Sequence, residues 1–186
     1  MTTKIFMCYK DYKKYFLCFL ILLAVFSSMC TEKQEGLHNI RIGNHVYVFT
    51  SDIREAMRVS VNEPMKIKKL IDNADRIDVV FNASEEDNKY FAVVGFNIVS
   101  KLQTYYASLG WAKDFRGMPI ENATFQHPTI FLRGPSTGAT NTSVWLLHTN
   151  NTKNIIIVQG KTFEDMEKAG DKLVLTVLGV NEIVTN

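Results

Sequence analysis

The sequence predicts an α/β domain, with α+β as the near variant: a mixed sheet covered by helices, in a single domain behind an N-terminal signal or anchor segment. Three observations predict it. Short β-branched runs alternate with longer amphipathic ones, as at residues 76–82 followed by residues 84–109. A strand pair joined by an Asn-rich turn near the carboxyl end breaks the alternation, which makes the sheet mixed rather than parallel. A chain of 186 residues, 46% hydrophobic and 22% charged, holds one core and is short for a second. The same composition excludes a disordered tail, a collagen-like repeat and a disulfide-dense miniprotein.

Lys4, Lys10, Lys13 and Lys14 precede the uninterrupted apolar run YFLCFLILLAVF, residues 15–26, and Ser27, Ser28, Met29 and Cys30 follow it. This is the order of a secretory signal. The run is shorter than the ~20 residues of a membrane-spanning helix, although extension to Cys30 narrows the gap and keeps an uncleaved anchor open. Residues 1–30 therefore read as a signal peptide or membrane anchor, 31–44 as a polar tether and 45–186 as the domain. Cys8, Cys18 and Cys30 are the only cysteines, so the domain itself has no disulfide and no thiolate for zinc or nucleophilic work. Cys30 is a lipidation candidate, with TEKQEG after it as a tether. Met29 departs from the small residue usual there, and ordinary cleavage after Ser28 or Cys30 is the equal alternative. Sequons at Asn82, Asn122, Asn141 and Asn150 fit an exported glycoprotein.

Along the domain, residues 45–50 (HVYVFT) alternate as a strand. Ser51 and Asp52 cap a short helix to Val59, with Glu55 in capping-box position. Pro64 opens a cationic helix to about Ala74, and RIDVVFN is a strand. Ser84, with Glu85, Glu86 and Asp87 in the first turn, starts a long helix whose stripe is Tyr90, Phe91, Val94, Ile98, Leu102, Tyr105 and Leu109, stopped by Gly110. Val93, Phe96 and Val99 widen the stripe and predict burial on more than one side, and Gly95 with Asn97 marks a helix crossing or a weak spot. Residues 111–127 lack a period and read as a long loop, a place to look for binding through Trp111 and Phe115. Strands at 128–132, 143–149 and 154–159 and a helix at 162–178, capped by Thr162 and ended by Gly179, complete the chain.

The chemical motifs are weak when their contexts are read. Gly134-Pro135-Ser136-Thr137-Gly138 spells the hydrolase nucleophile elbow, but no helix follows it and no acid lies between Ser136 and His148. A glycine-rich turn, with Arg133, Ser136 and Thr137 as binding candidates, is the better reading. No lysine follows the last glycine, so a phosphate-cradling Walker loop is absent. His38, His45, His127 and His148 are scattered without metal-ligand spacing, so no metal and no cofactor is expected. Beyond residue 30 the acids outnumber the bases by one, and no basic stripe points to nucleic acid.

The stretch PTIFLRGPSTGATNTSVWLLHTNNTKNIIIVQGKTFEDMEKAGDKLVL, within about residues 128–178, resembles a layout of archaeal surface-layer and related envelope proteins, with Arg133 in place of the glycine usual before Gly-Pro. The resemblance implies an extracellular place and a structural or interaction role, and no catalytic residue. The expectation is a non-enzymatic, extracytoplasmic domain, membrane-anchored or secreted, that binds or assembles with an envelope partner. The alternatives are a serine hydrolase centred on Ser136, with His148 or His127 as base, and a small-ligand receptor using the 111–127 loop.

Overall fold

The computed structural model describes residues 36–82, 88–148 and 154–180, so the leader, Cys30, the acids Glu85, Glu86 and Asp87, and the sequon at Asn150 lie outside the described residues. The folded unit begins at Gly36. Strands β1 (Asn39–Ile42) and β2 (His45–Val48) pair antiparallel as a hairpin. β1 therefore occupies the stretch read as the end of the tether: its polar NIRI alternation is that of a strand with one exposed face. Asp52 caps α1 (Ile53–Arg58) through the Arg54 N–H, while Glu55 reaches Lys168 at 2.9 Å instead of closing a capping box.

After α1 come β3 (Ser60–Val61), α2 (Pro64–Asp72), β4 (Arg76–Phe81), α3 (Asn88–Ser108) and β5 (Asp114–Pro119). A 3-10 turn (Ile120–Asn122), β6 (Thr129–Arg133), β7 (Ser143–His148), β8 (Asn154–Gln159) and α4 (Phe163–Leu178) follow. The fold is α/β, with a six-stranded mixed sheet in the order β3-β7-β8-β6-β4-β5, in which β7 and β8 pair antiparallel and every other pair is parallel.

Two departures from the expected elements matter for function. Residues 111–127 are not one long loop, because β5 and the 3-10 turn occupy their centre. DFRGMP hides its strand character because it is an edge with a charged outer face, a glycine and a closing proline. The long helix is also not buried on several sides. Phe91, Val94, Ile98, Leu102 and Tyr106 enter the core, whereas Phe96 is 71% and Val93 51% exposed, and Leu109 lies beyond the helix and exposed. The close helix approach comes from α4 rather than from Gly95. A Cβ on Gly170 would sit 3.1 Å from Val94 and 3.3 Å from Ile98, whereas one on Gly95 would make ordinary contact with Leu132 and Val79 of the sheet.

Alternation along the strands sorts their side chains. Ile77, Val79, Ile130, Leu132, Val144, Leu146, Ile156 and Val158 share one face and form the core with the four helices and with Tyr47 and Phe49. α4 crosses β7 and β8 and touches the other three helices, and its last turn closes on Gly179 in the left-handed region at φ 76°. β4 to β5 moves one place along the sheet through α3. β5 to β6 moves two places back, past β4, through residues 120–128. Parallel crossovers share the right hand, so two that move in opposite directions lie on opposite faces. The return segment therefore crosses the face away from α3, where Asp78 and Val80 are buried.

Candidate functional site

A groove of about 560 Å³ lies at the amino ends of β4 and β6, between them and α2. Leu70 and Ala74 from the α2 side and Pro128 and Leu146 from the sheet make its apolar floor, and Lys66, Lys69, Arg76, His127, His148 and Asp75 stand around it. Its place follows from the chain path. β3 ends on this edge, Asn62 holds it there by accepting the Leu146 N–H at 2.7 Å, and the cationic helix then runs along the edge before β4 begins.

Glu63 organises one side of the groove. Its backbone is left-handed, φ 49°, unusual for a residue with a side chain, and it precedes Pro64 at the start of α2. That conformation sends its carboxylate to Lys66 Nζ at 2.6 Å and to His148 Nε2 at 3.2 Å. Lys66 first, and His148 after it, hold the Glu63 carboxyl below its usual range. Arg76 is drawn the other way, its Nε donating to Asp78 at 2.9 Å. The Lys69 ammonium, the His127 ring and the Asp75 carboxylate make no side-chain hydrogen bond or ion pair among the described residues, so they are groups free to meet a ligand.

Next to the groove, the carboxyl end of α2 is closed by a polar cluster. Tyr106 donates to Asp72 at 2.7 Å, and burial, followed by the Asp72 carboxylate, pushes its hydroxyl far above the usual tyrosine range. Lys113 Nζ donates to the carbonyls of Asp72 and Ala74 at 2.7 and 2.6 Å and lies over the Tyr106 and Trp111 rings, with burial lowering its pKa. These contacts fix α2 and the segment leading into β5.

The residues singled out from sequence do not converge. Trp111 stacks on Tyr106 ahead of β5, and Phe115 lies under α3. Arg133 closes the glycine-rich turn, donating from Nε to the Thr137 carbonyl and from Nη2 to the Gly138 carbonyl, both at 3.0 Å, while the Gly134 N–H donates to Thr137 Oγ1. Ser136 is exposed on that turn, beyond the carboxyl end of β6. His127 precedes β6 at its amino end, and His148, opposite Asn154 in the register, sits at that same end. The whole length of β6 and β8 separates Ser136 from both histidines, so no serine–histidine pair forms with either. His38 and His45 belong to the hairpin segment. Among the sequons, Asn122 is exposed and Asn82 half-buried, while Asn141 turns its side-chain oxygen inward to Ser143 and Gln159.

The groove was not read from sequence. Its signals were there in Glu63-Pro64 ahead of a lysine-rich helix and in His127-Pro128 ahead of a strand, but their meeting depends on the order of strands. No known family matches the chain, and no curated protein and no solved structure is similar to it.

Proposed function

We propose that this protein is an exported domain, held at the membrane by its amino-terminal segment or released by cleavage behind it, that works by non-covalent binding and carries no hydrolytic site at Ser136. The observation that carries the binding part is the α2 groove, which pairs an apolar floor with a free ammonium and a free imidazole and includes no serine, threonine or cysteine in its lining. The separation of Ser136 from His127 and His148 supports the same reading. The place outside the cytoplasm rests on the lysines and the apolar run of residues 15–26, on the sequons and on the resemblance of residues 128–178 to envelope proteins. Among the described residues no helix is long and apolar enough to cross a membrane.

Intact-mass analysis of the native membrane fraction and of the medium tests the anchor. A chain starting at Cys30 with added lipid, or the uncleaved chain, is the anchored outcome. A free species beginning at Thr31 means secretion, and a full-length soluble chain in the cytoplasm overturns export. A fluorophosphonate probe tests the chemistry, with no labelling expected at Ser136. Labelling abolished by Ser136→Ala would overturn the non-enzymatic reading.

A further inference from the structure

The six-stranded sheet ends in two unlike edges. β3 contributes only two residues, and the Asn62 side chain and backbone after it are both bonded to β7. β5 contributes six residues, and among the described residues no strand pairs with its outer side. The Asp114 N–H donates to the Asp75 carbonyl at 2.8 Å. In a parallel pair the hydrogen-bonding direction alternates along the strand, so Asp114, Arg116 and Met118 are bonded toward β4, while Phe115 and Gly117 turn their N–H and C=O groups outward.

The side chains on the two sides of this edge are also specialised. Phe115 and Gly117 lie opposite Ile77 and Val79, on the helix face, where a cavity of about 310 Å³ opens between β5 and α3. Phe81, Phe96, Val99 and Phe115 line it, and a Cβ on Gly117 would meet nothing within 4 Å. On the other face Asp114 and Arg116 are exposed and joined at 2.7 Å.

We propose that β5 pairs antiparallel with β5 of a second copy of this chain across a two-fold axis, joining the two six-stranded sheets into one. With Phe115 opposite the partner's Phe115, each chain offers the other one N–H and one C=O at the axis. The same register sets Asp114 opposite the partner's Arg116 and Arg116 opposite the partner's Asp114. A strand reading Asp-x-Arg matches itself only when reversed, and this charge complementarity selects a second copy over an unrelated extended peptide. The partner's Phe115 then comes to the mouth of the cavity on the helix face, beside Phe96. This assembly shares no residue with the α2 groove and does not rest on its ligand.

The test is the mass of the purified full chain by light scattering, in detergent where the leader holds it to membrane. The native chain is expected to be a dimer at micromolar concentration. Asp114→Arg and Arg116→Asp each set like charges across both pairs and should weaken dimerisation about tenfold or more. An equimolar mixture of the two variants should recover a mixed dimer, because every cross-axis pair is then opposite in charge. Within each variant chain residues 114 and 116 remain alike in charge, so recovery on mixing reports the interface and not repair of the fold. Gly117→Pro removes an outward N–H without touching the bonds to β4, and should weaken the dimer while far-UV circular dichroism stays unchanged. A monomeric native chain, charge variants as dimeric as the native chain, or a mixture that stays monomeric would each overturn the proposal.

Discussion

On one face of the six-stranded sheet, alternate residues from Ile77 to Val158 join four helices in a continuous core. On the other, Val80 and Ile157 are buried while Phe131, Trp145, Leu147 and Ile155 are half-buried, all of them outside that core, and residues 120–128 make the crossing. A mostly parallel sheet ordinarily hides both faces, and the run Ile155–Val158 has the unbroken apolar character of such a strand. Here Ile156 and Val158 alone of that run belong to the helix-covered core. The difference teaches that the helix face carries the larger share of the apolar burial, while the return face buries single side chains outside that cluster.

The largest expected contrast lies in two buried carboxylates, one on each side. Asp171 in α4 accepts from the Ser51 N–H and hydroxyl at 3.0 and 2.6 Å and lies 3.4 Å from Lys101, which is only 9% exposed. Asp171→Ala strands a buried ammonium and should cost about 3–5 kcal/mol. Asp78 on the return face accepts from Arg76, whose side chain is 27% exposed and can take up water instead. Asp78→Ala should cost about 1–2 kcal/mol, since its second carboxylate oxygen is buried without a hydrogen bond and its removal relieves that burden. Chemical denaturation of both variants measures the contrast, and equal losses would break it.

Neighbours on one strand sharpen it next. Leu132 is fully buried against α3, and Leu132→Ala should lose about 2–5 kcal/mol. Phe131, one residue earlier, points to the return face, and Phe131→Ala should lose less than half as much despite the larger side chain removed. A greater loss at Phe131 would mean that the return face is as well packed as the helix face.

These contrasts also locate what was legible beforehand. Helix starts and stops are local chemistry, so Asp52, Pro64, Thr162 and Gly179 marked their elements from sequence alone, as did the β-branched runs of β4, β6 and β8. β5 was not legible, because an edge strand keeps one charged face and needs no apolar alternation. Nor was the exposure of Phe96, since hydrophobic spacing along α3 says which residues are apolar and not which of them meet a neighbour. The α2 groove brings together residues from 66 to 148, and it is the strand directions, with β8 parallel to β6 and β7 antiparallel to β8, that bring His148 to the amino end of β6 while Ser136 stays beyond its carboxyl end.

The smallest expected effect comes from two acids of the helix layer whose pH dependences have opposite signs. The Arg54 side chain, with the N-cap hydrogen bond behind it, lowers Asp52 to about 2. Its contribution is complete above the ordinary aspartate range and is lost as pH falls toward 2, and Asp52→Ala should remove about 1 kcal/mol of helix capping at neutral pH. Glu167 is raised instead, by burial first and then by Asp171 and Glu164, against the opposing pull of Lys101. A carboxyl that holds its proton more tightly when folded is destabilising once ionised, so stability should decline as pH rises from the ordinary glutamate range through its raised pKa. Glu167→Gln should therefore raise stability at neutral pH by about 0.5 kcal/mol, a figure kept small because the group is partly hydrated, and the gain should vanish in acid. Thermal melts of the native chain and both variants between pH 2 and 7 read the two slopes, and a Glu167→Gln gain that grows on acidification would mean that the surroundings of Glu167 lower its pKa rather than raise it.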